Sequence, residues 1–188
     1  MSVWIRERHE LDYLAEPDLF HDFFGHVALL TNPVFARFVE AYGAAGSKAL
    51  AHNAVDFLAR LYWYTVEFGL IDTPAGLKAY GAGILSSSTE TRYSVVSKVP
   101  KRIPFDLVRV MRTAYLIDDL QKSYFVLESF DQLFHAGYDN DFAPLYQQVR
   151  SLPTIAPGEV LPGERQGFLV EVGQLHGTTL DHRVGSTA

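Results

Sequence analysis

Apolar residues along the chain recur mostly three and four positions apart, the period of helices that bury one stripe. Pro17 and Asp18 suit a helix start. Phe20, Phe23, Phe24 and Val27 follow, with His21 and His26 among them, so this segment is predicted to be helical. Asn32-Pro33 pairs a capping side chain with proline at the first helical position. It opens a second segment through Phe35, Phe38, Val39 and Tyr42 that is expected to stop at Gly43. A long helix is predicted from about Lys48 to Phe68, with Leu50, Ala54, Leu58, Leu61 and Thr65 on one stripe and Gly69 marking its end.

The pattern then loosens. Asp72-Thr73-Pro74 is expected to turn the chain into a short helix, and Tyr80 to Glu90 reads as a glycine- and serine-rich loop that can bring backbone and hydroxyls close to a ligand. Tyr93 to Val96 and Tyr124 to Leu127 have the β-branched and aromatic content of short strands, whereas Asp106 to Thr113 and Asp141 to Val149 look helical. From Ser151 proline and glycine accumulate and periodicity fades, with fraying expected after about Gly173. The expected fold is mainly α, an α+β arrangement with a minor antiparallel β element. It comprises one helical domain over residues 1–150 and a Pro/Gly-rich, partly irregular extension over 151–188.

Composition narrows the function. With 188 residues, 48% of them apolar and 13% aromatic, the chain can bury one sizeable core. A net charge of −6 without a Lys/Arg cluster argues against nucleic acid or an anionic membrane as the main partner and favours a small soluble ligand. Without cysteine there is no disulfide framework and no thiolate metal site, so any metal must use histidine and carboxylate. The N-terminus is charged where a leader would be apolar, and no apolar run reaches the ~18 residues of a membrane span. The expected location is the cytoplasm, as a monomer.

Against this background Glu67 stands out. It lies in Leu61-Tyr-Trp-Tyr-Thr-Val-Glu-Phe-Gly-Leu-Ile71, where an ionised carboxylate must be paired, protonated or bound to a metal. His21-Asp-Phe-Phe-Gly-His26 places two imidazoles in equally aromatic surroundings. Two neutral nitrogens and one carboxylate form the ligand set of a non-haem iron(II) site with open positions, and the same set holds zinc. Spacing alone does not select this reading, because residues five apart on an ideal α-helix point about 140° away from each other. The competing readings are core histidines bonded to carbonyls, and a Glu67 that is protonated or paired with an arginine such as Arg60. Gly25 removes a side chain where something must approach closely. Asp18 could orient His21, or simply begin a helix; Arg6 could clamp a carboxylate, or be a solvated charge. Trp63 and Phe68 could wall a pocket, or be plain core, and Ser86 and Ser87 could bond a ligand or a histidine, or cap the loop.

Three stretches carry a specific resemblance: Leu11 to His26, Arg60 to Leu70, and Tyr80-Gly-Ala-Gly-Ile-Leu-Ser-Ser87. They resemble the pterin-dependent aromatic amino acid hydroxylases, in order from about Trp4 to about Val149, and are most like the bacterial members that act on phenylalanine. The resemblance implies that His21, His26 and Glu67 bind Fe(2+) and that Arg6 holds a substrate carboxylate. It further implies that Tyr13, Pro17, Trp63, Phe68 and Gly83 shape an aromatic pocket, with Ser86, Ser87 and Glu90 lining it or supporting Arg6 and His21. Asp22 stands where many members have a glutamate near the pterin, and Ala28 replaces a common proline. The implied reaction is hydroxylation of L-phenylalanine to L-tyrosine with O2 and a tetrahydropterin. In the family the catalytic domain continues well upstream of the first histidine, whereas here twenty residues precede His21. The alternative expectation is thus a shortened, non-catalytic homologue that serves as a metal- or partner-binding module. A zinc hydrolase on the same triad is a third.

Overall fold

The computed structural model of the chain describes residues 2–11 and 16–168. Asn32 caps the first long helix, α1 (Pro33–Ala51), its side-chain oxygen accepting from the Val34 and Phe35 N–H groups at 3.0 and 3.2 Å. Gly43 does not stop it. Both Gly43 and Gly46 have open space on the side a Cβ would occupy, and burial of Phe35, Phe38, Ala45 and Ala49 carries the helix through them. The cost of an interior glycine, about 1 kcal/mol, is small against that burial. The break falls instead at Asn53, which takes a left-handed φ of 50°. α2 (Val55–Tyr62) then begins, so the helix expected from Lys48 to Phe68 is the tail of α1, a turn, α2 and a wider turn over Trp63–Glu67.

The strands correct the expected β element. Asp72-Thr73-Pro74 leads not into a helix but into a hairpin of β1 (Leu70–Thr73) and β2 (Gly76–Ala79). Thr73 Oγ1 closes the turn by donating to the Gly76 carbonyl and accepting from Ala75 N–H, and Gly76 supplies the positive φ of 89°. β3 (Lys101–Pro104), which the sequence does not announce, and β4 (Ser123–Leu127) complete a sheet of order β2-β1-β4-β3. Only β1 and β2 run antiparallel; β4 pairs in parallel with β1 and β3, so the sheet is mixed. Every residue of the central β4 is buried, as expected of a strand covered on both faces.

Helices account for the rest. The segment read as a loop from Tyr80 to Glu90 contains α3 (Ala82–Leu85) and the start of α4 (Ser88–Val96), capped by Ser87 on Glu90 N–H. Tyr93 to Val96 is the end of α4 and not a strand, its β-type composition overridden by that cap and by contacts with α3 and β2. α5 (Leu107–Arg112) and α7 (Phe142–Arg150) begin at the Asp106 and Asp141 caps, and α6 (Phe130–Tyr138) starts at Ser129. The main core gathers Phe35, Phe38, Leu61, Tyr64, Phe125 and Tyr146 between α1, α2, α7 and β4. Residues 151–168 form no helix or strand beyond one bridge, Ile155 with Thr113, yet Glu164 pairs with the buried Arg109 of α5 at 2.5 Å. The expected fraying after Gly173 concerns residues outside those described. Among the described residues no helix is long and apolar enough to cross a membrane.

Candidate metal centre

The segment around the histidines is not an α-helix. His21–Val27 is π-helical, with Ala28 N–H bonded to Phe23 O five residues back. Trp63–Glu67 is a second π turn, closed by Phe68 N–H on Trp63 O at 2.8 Å. Both candidate histidines and the glutamate therefore sit on widened turns, the irregularity that recurs at functional sites. The wider turn resolves the spacing that argued against a histidine pair: the two rings lie 4.9 Å apart, with Nε2 atoms 3.0 Å from each other.

Glu67 meets the same point from the other side. Its Oε1 is 3.2 Å from His26 Nε2 and its Oε2 is 3.7 Å from His21 Nε2. Between the two turns lies α3. Gly25 faces Ala82 so closely that a Cβ there would come within 2.7 Å of the Ala82 Cβ, and a Cβ on Gly81 would come within 2.3 Å of the Glu67 carbonyl oxygen. The glycines let three backbone segments close around one spot.

Electrostatics separates the two imidazoles. Burial lowers the pKa of His21, with Glu67 opposing, whereas the contact with Glu67 raises that of His26 against the effect of burial. His21 Nδ1 lies 2.9 Å from Ser86 Oγ, which in turn donates to the Gly83 carbonyl at 3.3 Å. With Nδ1–H donated to Ser86, the neutral ring turns a lone pair on Nε2 toward His26 and Glu67. Two imidazole nitrogens and a carboxylate with ligand atoms all within 4.8 Å of one another fit a divalent cation. No cysteine is present to favour a softer one.

Asp18 touches His21 differently from the sequence expectation. Its carboxylate accepts the His21 backbone N–H at 2.9 Å and leaves the ring to Ser86. The same carboxylate takes Arg6 Nε and Nη2 at 2.8 and 2.7 Å, and this pairing holds Asp18 well below the usual carboxylate range. Arg6 Nη1 donates to the Ser86 carbonyl, so Arg6 is fastened beside the site and does not line the cavity. Asp22 is half-buried, and its carboxylate accepts from Ser2 N–H at 2.5 Å. Tyr13 lies outside the described residues.

A cavity of about 790 Å3 opens on His21 and Glu67, large enough for a small organic ligand. Pro17, Trp63, Phe68, Gly83, Ser86, Ser87 and Glu90 all line it. Phe68 packs over Gly83, where a Cβ would lie 2.8 Å from the ring. Sequence reasoning missed Tyr62, Tyr115 and Gln121, which share the lining. Tyr115 stacks on Trp63 at 4.3 Å and 16°, and Gln121 accepts the indole N–H at 3.0 Å. Tyr115 and Gln121 lie about fifty to sixty positions along the chain from Trp63, and no local pattern marks them. Glu90 is buried and accepts from Tyr124 Oη–H and Gln121 N–H, with burial raising its pKa.

The profile of the biopterin-dependent aromatic amino acid hydroxylases matches residues 1–141. Phenylalanine-4-hydroxylase of Chromobacterium violaceum is 58% identical over 175 residues, covering 89% of this chain and 59% of the relative. The Ralstonia nicotianae protein of that name is 58% identical over 163 residues, covering 87% and 52%. The chain thus spans between half and three-fifths of the length of these two relatives. The crystal structure of phenylalanine hydroxylase from C. violaceum bound to cobalt superposes with a TM-score of 0.83 at 58% identity, over 87% of this chain and 58% of that one. Sequence motifs, a fold shared at high identity and the family profile agree: this chain belongs to the biopterin-dependent aromatic amino acid hydroxylases.

Proposed function

We propose that the chain is the iron-binding part of a phenylalanine 4-monooxygenase, converting L-phenylalanine to L-tyrosine. The observation that carries this reading is the convergence of His21, His26 and Glu67 at an aromatic-walled cavity. The names of its relatives supply the substrate. Fe(2+) held by these three residues would supply oxygen activation, with a tetrahydropterin as two-electron donor. For the pterin the resemblance implies Asp22, and one half-buried carboxylate does not define a cradle.

The protein's own share is positioning. Ser86 fixes the His21 tautomer, so that Nε2 is the ligating atom. Glu67, whose side chain is 16% exposed, would supply the carboxylate of the ligand set. Trp63, Phe68 and Tyr115 hold a ring by stacking and exclude solvent. Arg6 has three of its five N–H groups committed to Asp18 and Ser86 and stands beside the cavity, not in its lining; the remaining two would take a substrate carboxylate, as the family resemblance implies. A guanidinium held this rigidly would fix the head of the amino acid.

The test is incubation of the iron-loaded chain with tetrahydropterin, O2 and L-phenylalanine, followed by chromatography for tyrosine. Tyrosine supports the proposal. Pterin oxidation without tyrosine would indicate oxygen chemistry uncoupled from the ring. If neither pterin nor phenylalanine is consumed by chain shown to hold iron, the hydroxylase reading fails and a metal-binding module replaces it.

A further inference from the structure

Gln121 is 2% exposed and sits between α5 and β4, in the segment that also carries Tyr115, and the functional reading gives its side chain no role. Its side chain is fully committed. Nε2 donates to the carbonyls of Leu116 and Asp119 at 2.7 and 3.3 Å, and Oε1 accepts from Trp63 Nε1 at 3.0 Å. Two carbonyls can only accept and an indole nitrogen can only donate, so a single orientation of the amide satisfies all three contacts. The backbone N–H of the same residue donates to Glu90 Oε1 at 3.3 Å, in the lining of the same cavity.

Trp63 needs such a hold. It opens the π turn that ends at Glu67 and is only partly buried, with Tyr115 stacked at 4.3 Å and Phe68 at 4.7 Å. Stacking is tolerant of sliding and rotation in the ring plane. A hydrogen bond at the ring edge is not.

We propose that Gln121 is a positioning residue for the amino-acid pocket: by accepting the Trp63 indole N–H it fixes that ring as the cavity wall, and thereby sets discrimination between one-ring and two-ring aromatic amino acids. The proposal rests on the reading of this cavity as the amino-acid site. A hydrophobic wall discriminates by how far it can yield, so a ring pinned at its edge rejects a larger guest that a free ring would accommodate.

The test compares two substitutions in the iron-loaded chain. Gln121→Met keeps length and bulk but offers Trp63 no comparable acceptor, whereas Gln121→Glu keeps an acceptor for Trp63 and loses the donation to Leu116 and Asp119. Calorimetric titration with L-phenylalanine and L-tryptophan should show Gln121→Met binding phenylalanine roughly fivefold more weakly, the weight of one neutral hydrogen bond, with a narrowed phenylalanine-to-tryptophan ratio. Gln121→Glu should lose more thermal stability yet keep the ratio, a split that a merely structural role would not produce. In a Trp63→Phe background, Gln121→Met should add nothing to the change in ratio. An unchanged ratio in Gln121→Met, or a change that persists without Trp63, overturns the proposal. A second readout needs no ligand: in Trp4→Phe chain, where Trp63 is the only tryptophan, Gln121→Met should weaken the near-ultraviolet circular dichroism of the indole. If wild-type chain binds neither amino acid while that signal falls, the cavity has been misread and the hold on Trp63 stands. An unaltered signal sinks the hold itself.

Discussion

Asp18 has no exposed side-chain surface, and a guanidinium meets both of its oxygens. Glu67 is 16% exposed and meets two imidazole nitrogens at 3.2 and 3.7 Å, with no lysine or arginine paired to it among the described residues. Both carboxylates contact His21, one through the backbone and one through the ring. The difference separates two uses of buried charge. Asp18 is neutralised by the chain itself and locks Arg6 to the turn before the histidines. Glu67 meets only imidazole nitrogens in its ion-pair contacts within the described residues, and keeps its oxygens turned toward the same point as the two Nε2 atoms. A charge already satisfied serves the fold; one left short of a cation serves a ligand.

The largest expected effect tests that distinction directly. Glu67→Ala should abolish iron retention, measured by metal analysis after gel filtration, and tyrosine formation with it. Loss of affinity should exceed the roughly 10–100-fold typical of a ligand's outer partners, while thermal stability of the metal-free chain barely falls. Asp18→Ala should do the reverse, costing about 3–5 kcal/mol in urea unfolding because it strands a buried guanidinium. Equal stability losses for the two would erase the comparison.

Smaller perturbations sharpen it. Gly25→Ala drives a Cβ into the backbone of α3 and should cost about 1–3 kcal/mol, with weaker metal binding because the two π turns are pushed apart. Ser86→Ala removes the acceptor for His21 Nδ1–H; it should lower metal affinity roughly tenfold with a stability loss near 1 kcal/mol, read by competition with a chelator. Acid pH tests the same pairing without a new substitution. Because Arg6 depresses the pKa of Asp18 below its ordinary 3.8, the contribution of Asp18 is fully present above that value and is lost as pH falls through the folded-state pKa. The stability gap between wild type and Asp18→Ala should be flat from neutral pH down to 3.8 and close below it. Glu90 runs the other way: burial raises its pKa above 4.5, so its penalty appears as pH rises past that point.

Much of the site was readable because its chemistry is out of place in its surroundings. A glutamate among Trp63, Tyr64, Phe68 and Leu70 and two histidines among phenylalanines are anomalies that need no geometry to notice. The helix cap at Asn32 is equally local and therefore equally plain, as are the helical stretches that open at Asp106 and Asp141. What local pattern could not supply was anything decided by a distant partner. Gly43 reads as a stop until the packing of α1 is known, and Tyr93 to Val96 reads as a strand until Ser87 caps the helix that contains it. The five-residue spacing of the histidines looked wrong because a helix of 3.6 residues per turn was assumed. The π turn is the physical reason that residues five apart meet here. Tyr115 and Gln121 stayed hidden because the residue they hold is far away in sequence.

The four residues of α3 touch the turn that carries both histidines and the turn that carries the glutamate, through contacts so close that glycines are required. Such a wedge works as a keystone: whatever tightens one side of the arch is felt on the other. Loading the ion should therefore slow hydrogen exchange at the Leu85 and Ser86 amides, which bond back to Gly81 and Ala82 and supply no ligand atom, making this short span a reporter of occupancy.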